Sequence, residues 1–313
     1  MFDVGVLAIG SYVPTKKLTN FDFEKTLETS NEWIVERTGI RERYIAEKNE
    51  KASDLALKAV QNLLSKNLVQ KEEIDMIILS TATPDYKGYP STACILQAKI
   101  GLKNIPCFDI TAACSGLIYA ISMANAYIKS GLYKNILVVS TEKNSEILDW
   151  QDRNTAVLFG DGASALVLSN TSKNIIKKIE ISSDGENHKV LVVDPFIKME
   201  GKEVFKYAVK EGTRLIEKVC LETNLTKEEI DIFIPHQANT RIIDGIAKKL
   251  KVDKNLFYSN VEKYGNTSSA SIGIALDEVN REQKLDLSSK VALFSFGAGL
   301  SSGVLLFEYN EKI

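Results

Sequence analysis

Apolar residues recur at helical spacing over Ser53–Ser65 and again over Val204–Leu221. Each stretch runs into a short unbroken apolar segment, Met76–Leu79 and Ile232–Ile234. The first pattern predicts an amphipathic helix, the second a buried strand. The same pentapeptide, Lys-Glu-Glu-Ile-Asp, joins helix to strand in both places, at positions 71 and 227, 156 residues apart. The likeness continues: "NILVVSTE" at 135 has a counterpart in "KVALFSFGAG" at 290, and "GASALVLS" at 162 in "SSGVLLFE" at 301. "TAACSGLIYAI" at 111 and "GNTSSASIGIAL" at 265 both place small residues ahead of a helical pattern. Helices alternating with apolar strands predict an α/β fold with mostly parallel sheets. Two such halves, 1–172 and 173–313, with no low-complexity linker between them, predict one body with a site shared at the junction.

Composition narrows the function little. The chain has 313 residues, 44% hydrophobic and 26% charged, with a net charge of −2. No global basic field points to nucleic acid. Met1–Pro14 lacks the charged and apolar regions of a signal peptide, and no run of about 18 apolar residues predicts a membrane helix. The four cysteines, Cys94, Cys107, Cys114 and Cys220, form no CxxC and no metal-like cluster with the two histidines. A cytoplasmic protein with reduced thiols and no metal is expected.

Three residues stand where chemistry is expected. Cys114 follows the apolar run Ile105–Ile110 and opens a helical pattern over Ser115–Ile128. A helix N-terminus there would favour a thiolate; a buried, inert cysteine in a tight turn is the competing reading. His236 directly follows "DIFIP" and so sits at the C-terminal end of a strand, where α/β sheets gather ligand sites. His188, in the polar "SDGENHK", reads as solvent-facing. Asn266, in "YGNTSSAS", suits an ordinary turn, but the repeat makes that turn the counterpart of the Cys114 turn. Symmetry then sets the two turns face to face. "SFGAGLSSG" at 295 is off the dinucleotide-binding spacing and reads instead as a turn able to offer N–H groups to an oxyanion.

"TAACSG", "IPHQAN", "YGNTSSAS" and "FGAGLSSG", with "NEWIVERTGIRERYIA" and "DRNTAVLFGDGASALVL", together resemble the β-ketoacyl-acyl-carrier-protein synthase III family of the thiolase superfamily, over essentially the whole chain. The resemblance implies a five-layer α-β-α-β-α fold of two duplicated halves, a homodimer, and condensation of an acyl-CoA primer with malonyl-acyl-carrier protein to start type II fatty acid synthesis. It implies neither metal nor redox cofactor, and no role for nucleic acid or membrane. Matched residue by residue, Cys114 takes the acyl group, His236 and Asn266 promote malonyl decarboxylation, and backbone N–H groups of Cys114 and Ala298 form the oxyanion hole. Trp33, Arg37 and Arg153 match the CoA mouth; Gly201, Phe205 and Asn239 match the pantetheine tunnel. Gln237, Arg241, Lys206, Lys248 and Lys249 are the expected contacts for the carrier protein. The set lacks the second histidine of elongating enzymes and the second cysteine of thiolases.

Two departures bear on the primer. Tyr89, in "PDYKGYPSTAC", stands where the family has a phenylalanine that reaches the acyl pocket from the partner subunit, and its loop carries one extra residue. Gly185–Lys198 is shorter than in the family. The acyl group stays open, as does the alternative of a specialised acyltransferase in a polyketide or other secondary-metabolite pathway. A Cys-His hydrolase is a third reading, without a motif to support it.

Overall fold

The computed structural model describes residues 2–313. Strands β1 (Gly5–Tyr12), β2 (Lys16–Thr19) and β3 (Glu42–Ile45) enclose helices α1 (Asn20–Glu24) and α2 (Asn31–Thr38). Then follow α3 (Ala52–Leu64), β4 (Met76–Ser80), α4 (Thr92–Ile100), β5 (Cys107–Ile110), α5 (Gly116–Lys129), β6 (Asn135–Glu142) and β7 (Gly162–Ser169). The rest of the chain supplies β8 (Ile176–Ser183), β9 (Leu191–Val193), β10 (Ile197–Met199), α6 (Gly201–Glu222), β11 (Ile232–Pro235), α7 (Thr240–Leu250), α8 (Val261–Tyr264), α9 (Ser271–Arg281), β12 (Ser289–Gly297) and β13 (Ser301–Tyr309).

Two sheets carry the core, ordered β1-β7-β6-β4-β5 and β11-β12-β13-β8. Between the sheets lie α5 and α9. Leu117, Ile118 and Ile121 of α5, and Ile272, Leu276 and Val279 of α9, share one apolar cluster with Ile78 and Val138 of the first sheet and Leu293 and Phe307 of the second. Each such side chain, fully buried, contributes about 1.5–3 kcal/mol. Helices α3 and α4 cover the outer face of the first sheet, and α6 and α7 that of the second. These are the five layers expected. Among the described residues no helix is long and apolar enough to cross a membrane.

The repeated motifs occupy equivalent strands. β4 beside β6 is parallel, as is β11 beside β12; β6–β7 and β12–β13 are antiparallel, as are β7–β1 and β13–β8. The expectation of mostly parallel sheets is therefore corrected: both sheets are mixed. A parallel pair needs a crossover, usually a helix, and α5 and α9 supply it before β6 and β12. Between β12 and β13 only Ala298–Leu300 intervene, so the chain must fold back antiparallel.

Candidate active site

Cys114 is positioned by the turn between β5 and α5. The backbone leaves β5, passes Ala113 at a left-handed φ of 46°, and forms a 3-10 turn, Ala113–Ser115, before α5 begins. Gly116 opens that helix because a Cβ there would lie 1.8 Å from Ser80 Oγ of β4. Its counterpart in the second half is the 3-10 turn Ser268–Ala270 before α9, where Ser268 holds a φ of 52°. Left-handed backbone at non-glycine residues costs about 1–2 kcal/mol each; Ala113 directly precedes Cys114, and Ser268 lies two residues after Asn266. The two turns do face each other: Cys114 Sγ lies 3.4 Å from Ser268 Oγ.

His236 continues β11, its N–H donating to the Phe294 carbonyl at 2.7 Å. Its Nδ1 lies 2.7 Å from Ser271 Oγ, which also accepts the Gln237 N–H. Among the described residues that hydroxyl has no other acceptor, so its proton goes to Nδ1. The ring proton is then on Nε2, on the side left for the cavity. Phe296 meets the ring edge-on at 5.1 Å. Burial pushes the histidine down to about 3, so the imidazole is neutral.

Asn266 bridges the halves. Its N–H donates to the Leu158 carbonyl at 2.9 Å, and its carbonyl accepts the Gly160 N–H at 3.0 Å. Gly265 before it has a φ of 62° and no room for a Cβ, which would lie 2.9 Å from the Leu158 carbonyl. The Ser268 N–H donates to Asn266 Oδ1 at 2.8 Å. That contact fixes the amide orientation and leaves Nδ2 as the free donor.

Cys114, His236 and Asn266 line one cavity, with Gly201, Asn239 and the apolar Leu158, Val204 and Phe296 around them. Gly297 belongs to the same wall. A Cβ on it would lie 2.7 Å from the Cys114 nitrogen, so only glycine leaves that N–H open. Gly297→Ala is expected to lower turnover by about 100-fold, since a displacement of about 1 Å at a reacting centre costs that much, and to lower the thermal midpoint as well, because the added methyl overpacks buried backbone at about 1–3 kcal/mol. Steady-state kinetics beside a melting curve would check it. Ala298, the second expected oxyanion donor, follows directly and is half-buried.

The thiol itself differs from expectation. Burial pushes Cys114 up to about 12, against the predicted thiolate. Desolvation, with the Glu142 charge adding to it, outweighs the lowering contacts from the Ser268 hydroxyl and the Cys114 backbone. The resting nucleophile is a thiol, and its proton must leave during reaction.

Around the cavity the remaining expectations divide. Trp33 is flanked by both expected arginines, with the Arg37 guanidinium 4.6 Å and that of Arg153 5.2 Å from its ring. Arg153 also donates to the Glu28 carbonyl at 2.7 Å. Arg241, Lys248 and Lys249 project from the exposed face of α7, which carries Asp244 as well, opposite the buried Ile242, Ile243 and Ile246. Lys206 is exposed and paired with Glu203 at 2.7 Å. Phe205 is not part of the cavity wall; it lies on α6, partly exposed, against Gly245 of α7. Tyr89 is 92% exposed on the loop before α4, outside the cavity of the single chain. His188 is exposed, with Nδ1 3.1 Å from the Gly185 carbonyl.

Gln237 is corrected. It is 1% exposed, its Nε2 donates to the carbonyls of Pro235 and Tyr258, and its Oε1 accepts the Asn260 N–H. An amide so enclosed braces the loop after β11 and offers nothing to a docking protein. Ser271 and Phe296, which set the state of His236, escaped the sequence reading. Only the repeat, placing "SSAS" opposite "ACSG", pointed near the first.

Comparison with known proteins places the whole chain in one family. The model of 3-oxoacyl-acyl-carrier-protein (ACP) synthase III matches residues 108–185, and that family's C-terminal model matches residues 220–309. The chain is 45% identical to the beta-ketoacyl-acyl-carrier-protein synthase III of Clostridium acetobutylicum, over 99% of this chain and 100% of that one. The crystal structure of 3-oxoacyl-acyl-carrier-protein synthase III from Aquifex aeolicus is similar at a TM-score of 0.95 and 43% identity, covering 98% of this chain and 100% of that one. A priming beta-ketosynthase from a polyketide biosynthetic pathway is similar at a TM-score of 0.93 and 31% identity, over 100% and 98%. The chain belongs to the 3-oxoacyl-acyl-carrier-protein synthase III family.

Proposed function

We propose that this chain is a cytoplasmic priming condensing enzyme, which joins an acyl-CoA to malonyl-acyl-carrier protein with loss of CO₂ and so starts type II fatty acid synthesis. One observation carries the reading. A thiol from one half and two neutral hydrogen-bond donors from the other line a single, mostly apolar cavity. A nucleophile faces donors there, rather than a base that would activate water.

The chemistry divides into two halves. Cys114 Sγ attacks the thioester carbonyl of the acyl-CoA, and the oxyanion is held by the N–H groups of Cys114 and Ala298. CoA leaves and the malonyl thioester enters. Loss of CO₂ builds charge on the thioester oxygen, which accepts from His236 Nε2–H and Asn266 Nδ2–H. The carbanion attacks the acyl-Cys114 carbonyl, the C–S bond breaks, and β-ketoacyl-carrier protein departs. The scheme asks for no metal or redox group. The division into halves 1–172 and 173–313 is then functional as well: the acylating turn comes from one and the decarboxylating pair from the other.

Both substrates bring pantetheine, for which Gly201, Asn239 and the neighbouring Phe205 are the proposed contacts. Trp33 between Arg37 and Arg153 suits an adenine ring with phosphates nearby. The basic side chains Arg241, Lys248, Lys249 and Lys206 suit an acidic carrier protein. A homodimer, with Tyr89 reaching the partner's acyl pocket, completes the assembly. The similarity to a polyketide-priming ketosynthase keeps a specialised pathway as the second reading.

Incubation with acyl-CoAs of graded length and branching, followed by intact mass, tests the first half-reaction and ranks the primers. Addition of one acyl group is expected. A chain that gains no acyl mass from any of them would sink the reading.

A further inference from the structure

Off the cavity wall, one hydroxyl removed from Cys114, sits a carboxylate that the mechanism has not used. Glu142 closes the fully buried strand β6 and is itself fully buried. Among the described residues it has no cation within ion-pairing distance; the adjacent Lys143 turns away to Glu146 and the carbonyls of Glu47 and Glu50. Burying a charge without a cation is costly, so its surroundings need an explanation. From the loop after β4, the Ala82 N–H and the Thr83 hydroxyl both donate to Oε2 at 3.0 Å. From the turn before α9, Ser269 donates to Oε1 at 2.5 Å and Ser268 at 3.4 Å. Ser268 Oγ is the same atom that lies 3.4 Å from Cys114 Sγ. The residues that donate to Glu142 from these two elements do not titrate; the titratable group next along the line is Cys114, on the turn before α5.

The thiol, the Ser268 hydroxyl and the carboxylate thus form a continuous line between the two halves. We propose that Glu142, acting through Ser268, takes up the Cys114 proton as the acyl group is transferred. The inference rests on the condensing reading above. As the sulfur lone pair forms the S–C bond, the S–H bond breaks and its proton bonds to Ser268 Oγ, while Ser268 passes its own proton to Glu142 Oε1. CoA leaves as a thiolate. The CoA thiolate takes its proton from solvent; when the carbanion later attacks the acyl-Cys114 carbonyl and the C–S bond breaks, the Cys114 sulfur takes the stored proton back from Glu142 through Ser268, restoring thiol and carboxylate. His236 is then spared this duty and stays neutral for the decarboxylation.

Burial raises Glu142 to about 7, against the lowering effect of its hydrogen bonds. Below that pH it is protonated and cannot accept; above it, it can. Acylation should therefore quicken as pH rises through about 7. Neither Cys114, near 12, nor His236, near 3, titrates in that window.

Glu142→Gln keeps the shape. Its amide oxygen can still accept from Ala82 and Thr83, and the serine hydroxyls can turn to accept from its NH₂, but it cannot take a proton. Rapid-quench intact mass with acetyl-, isobutyryl- and hexanoyl-CoA, from about pH 5.5 to 8.5, should show acylation of Glu142→Gln slowed by about 10²-fold at the upper end. Its pH profile should be flat where the wild type rises. Ser268→Ala should behave alike, Glu142→Asp should restore part of the rise, and malonyl decarboxylation by each should stay within about threefold of wild type. Acylation of Glu142→Gln at the wild-type rate overturns the relay. So does an equal loss of both half-reactions with the rise near pH 7 intact, which would mark a purely structural group. If Glu142→Gln does not fold, Ser268→Ala decides on the same readouts. A wild type that loads none of the three primers defeats the condensing reading and the relay together; one that loads them without a rise near pH 7 defeats the relay alone.

Discussion

Cys114→Ala is expected to abolish self-acylation, with no mass increase from any acyl-CoA, and to lower condensation by on the order of 10⁴-fold or more. The size follows from position. Cys114 is the sole thiol on the cavity wall, and the other free cysteines lie elsewhere: Cys94 and Cys107 on α4 and β5, and Cys220 at the end of α6. None can stand in for it. The fold should survive, since removing one sulfur from a wall already beside open space leaves little new void. Malonyl decarboxylation, measured as CO₂ release, should stay within about fivefold of wild type, because its donors do not touch the sulfur. Undiminished acylation of the variant would show that another group is the nucleophile.

His236→Ala and Asn266→Ala are each expected to cut malonyl decarboxylation by about 10²–10³-fold, the cost of one preorganised donor at a developing oxyanion. Self-acylation should change far less. Asn266→Ala is the cleaner test, since its amide is held by the Ser268 N–H and its loss leaves His236 and Ser271 in place. The sign of the pH dependence is also set. A histidine lowered to about 3 is neutral at any pH above about 4 and carries no charge to lose as pH rises. Decarboxylation by the acylated enzyme should therefore show no histidine inflection between about pH 5 and 8. An inflection near 6.5 that disappears in His236→Ala would mean that the ring titrates in the working range. Equal loss of both half-reactions in Asn266→Ala would defeat the division of labour.

Much of this was legible along the chain. The Lys-Glu-Glu-Ile-Asp repeat located two equivalent strands, β4 and β11, and aligned the turns that carry Cys114 and Asn266. What sequence could not carry was set by contacts distant along the chain. "HQANT" reads as a polar loop, yet Gln237 is enclosed by Tyr258 and Asn260, over 20 positions away. The helix beginning after Cys114 suggested a thiolate, yet burial of the turn pushes the thiol up to about 12. Sheet direction was misjudged because apolar strands look alike whether the chain crosses over or turns back. Glu142, one charge closing an apolar strand, was a visible signal without a visible partner. Ser268 and Ser269 reach it from 126 and 127 residues further on.

The central claim is that acyl transfer to Cys114 ends in a new carbon–carbon bond. The direct measurement is the mass of the carrier protein after incubation with the preferred acyl-CoA and malonyl-carrier protein. The account predicts a β-ketoacyl-carrier whose chain is the primer plus two carbons, formed with one CO₂ per turnover and absent with Cys114→Ala. Free acid derived from the acyl-CoA, with the malonyl-carrier unchanged, would contradict it and assign the site to hydrolysis.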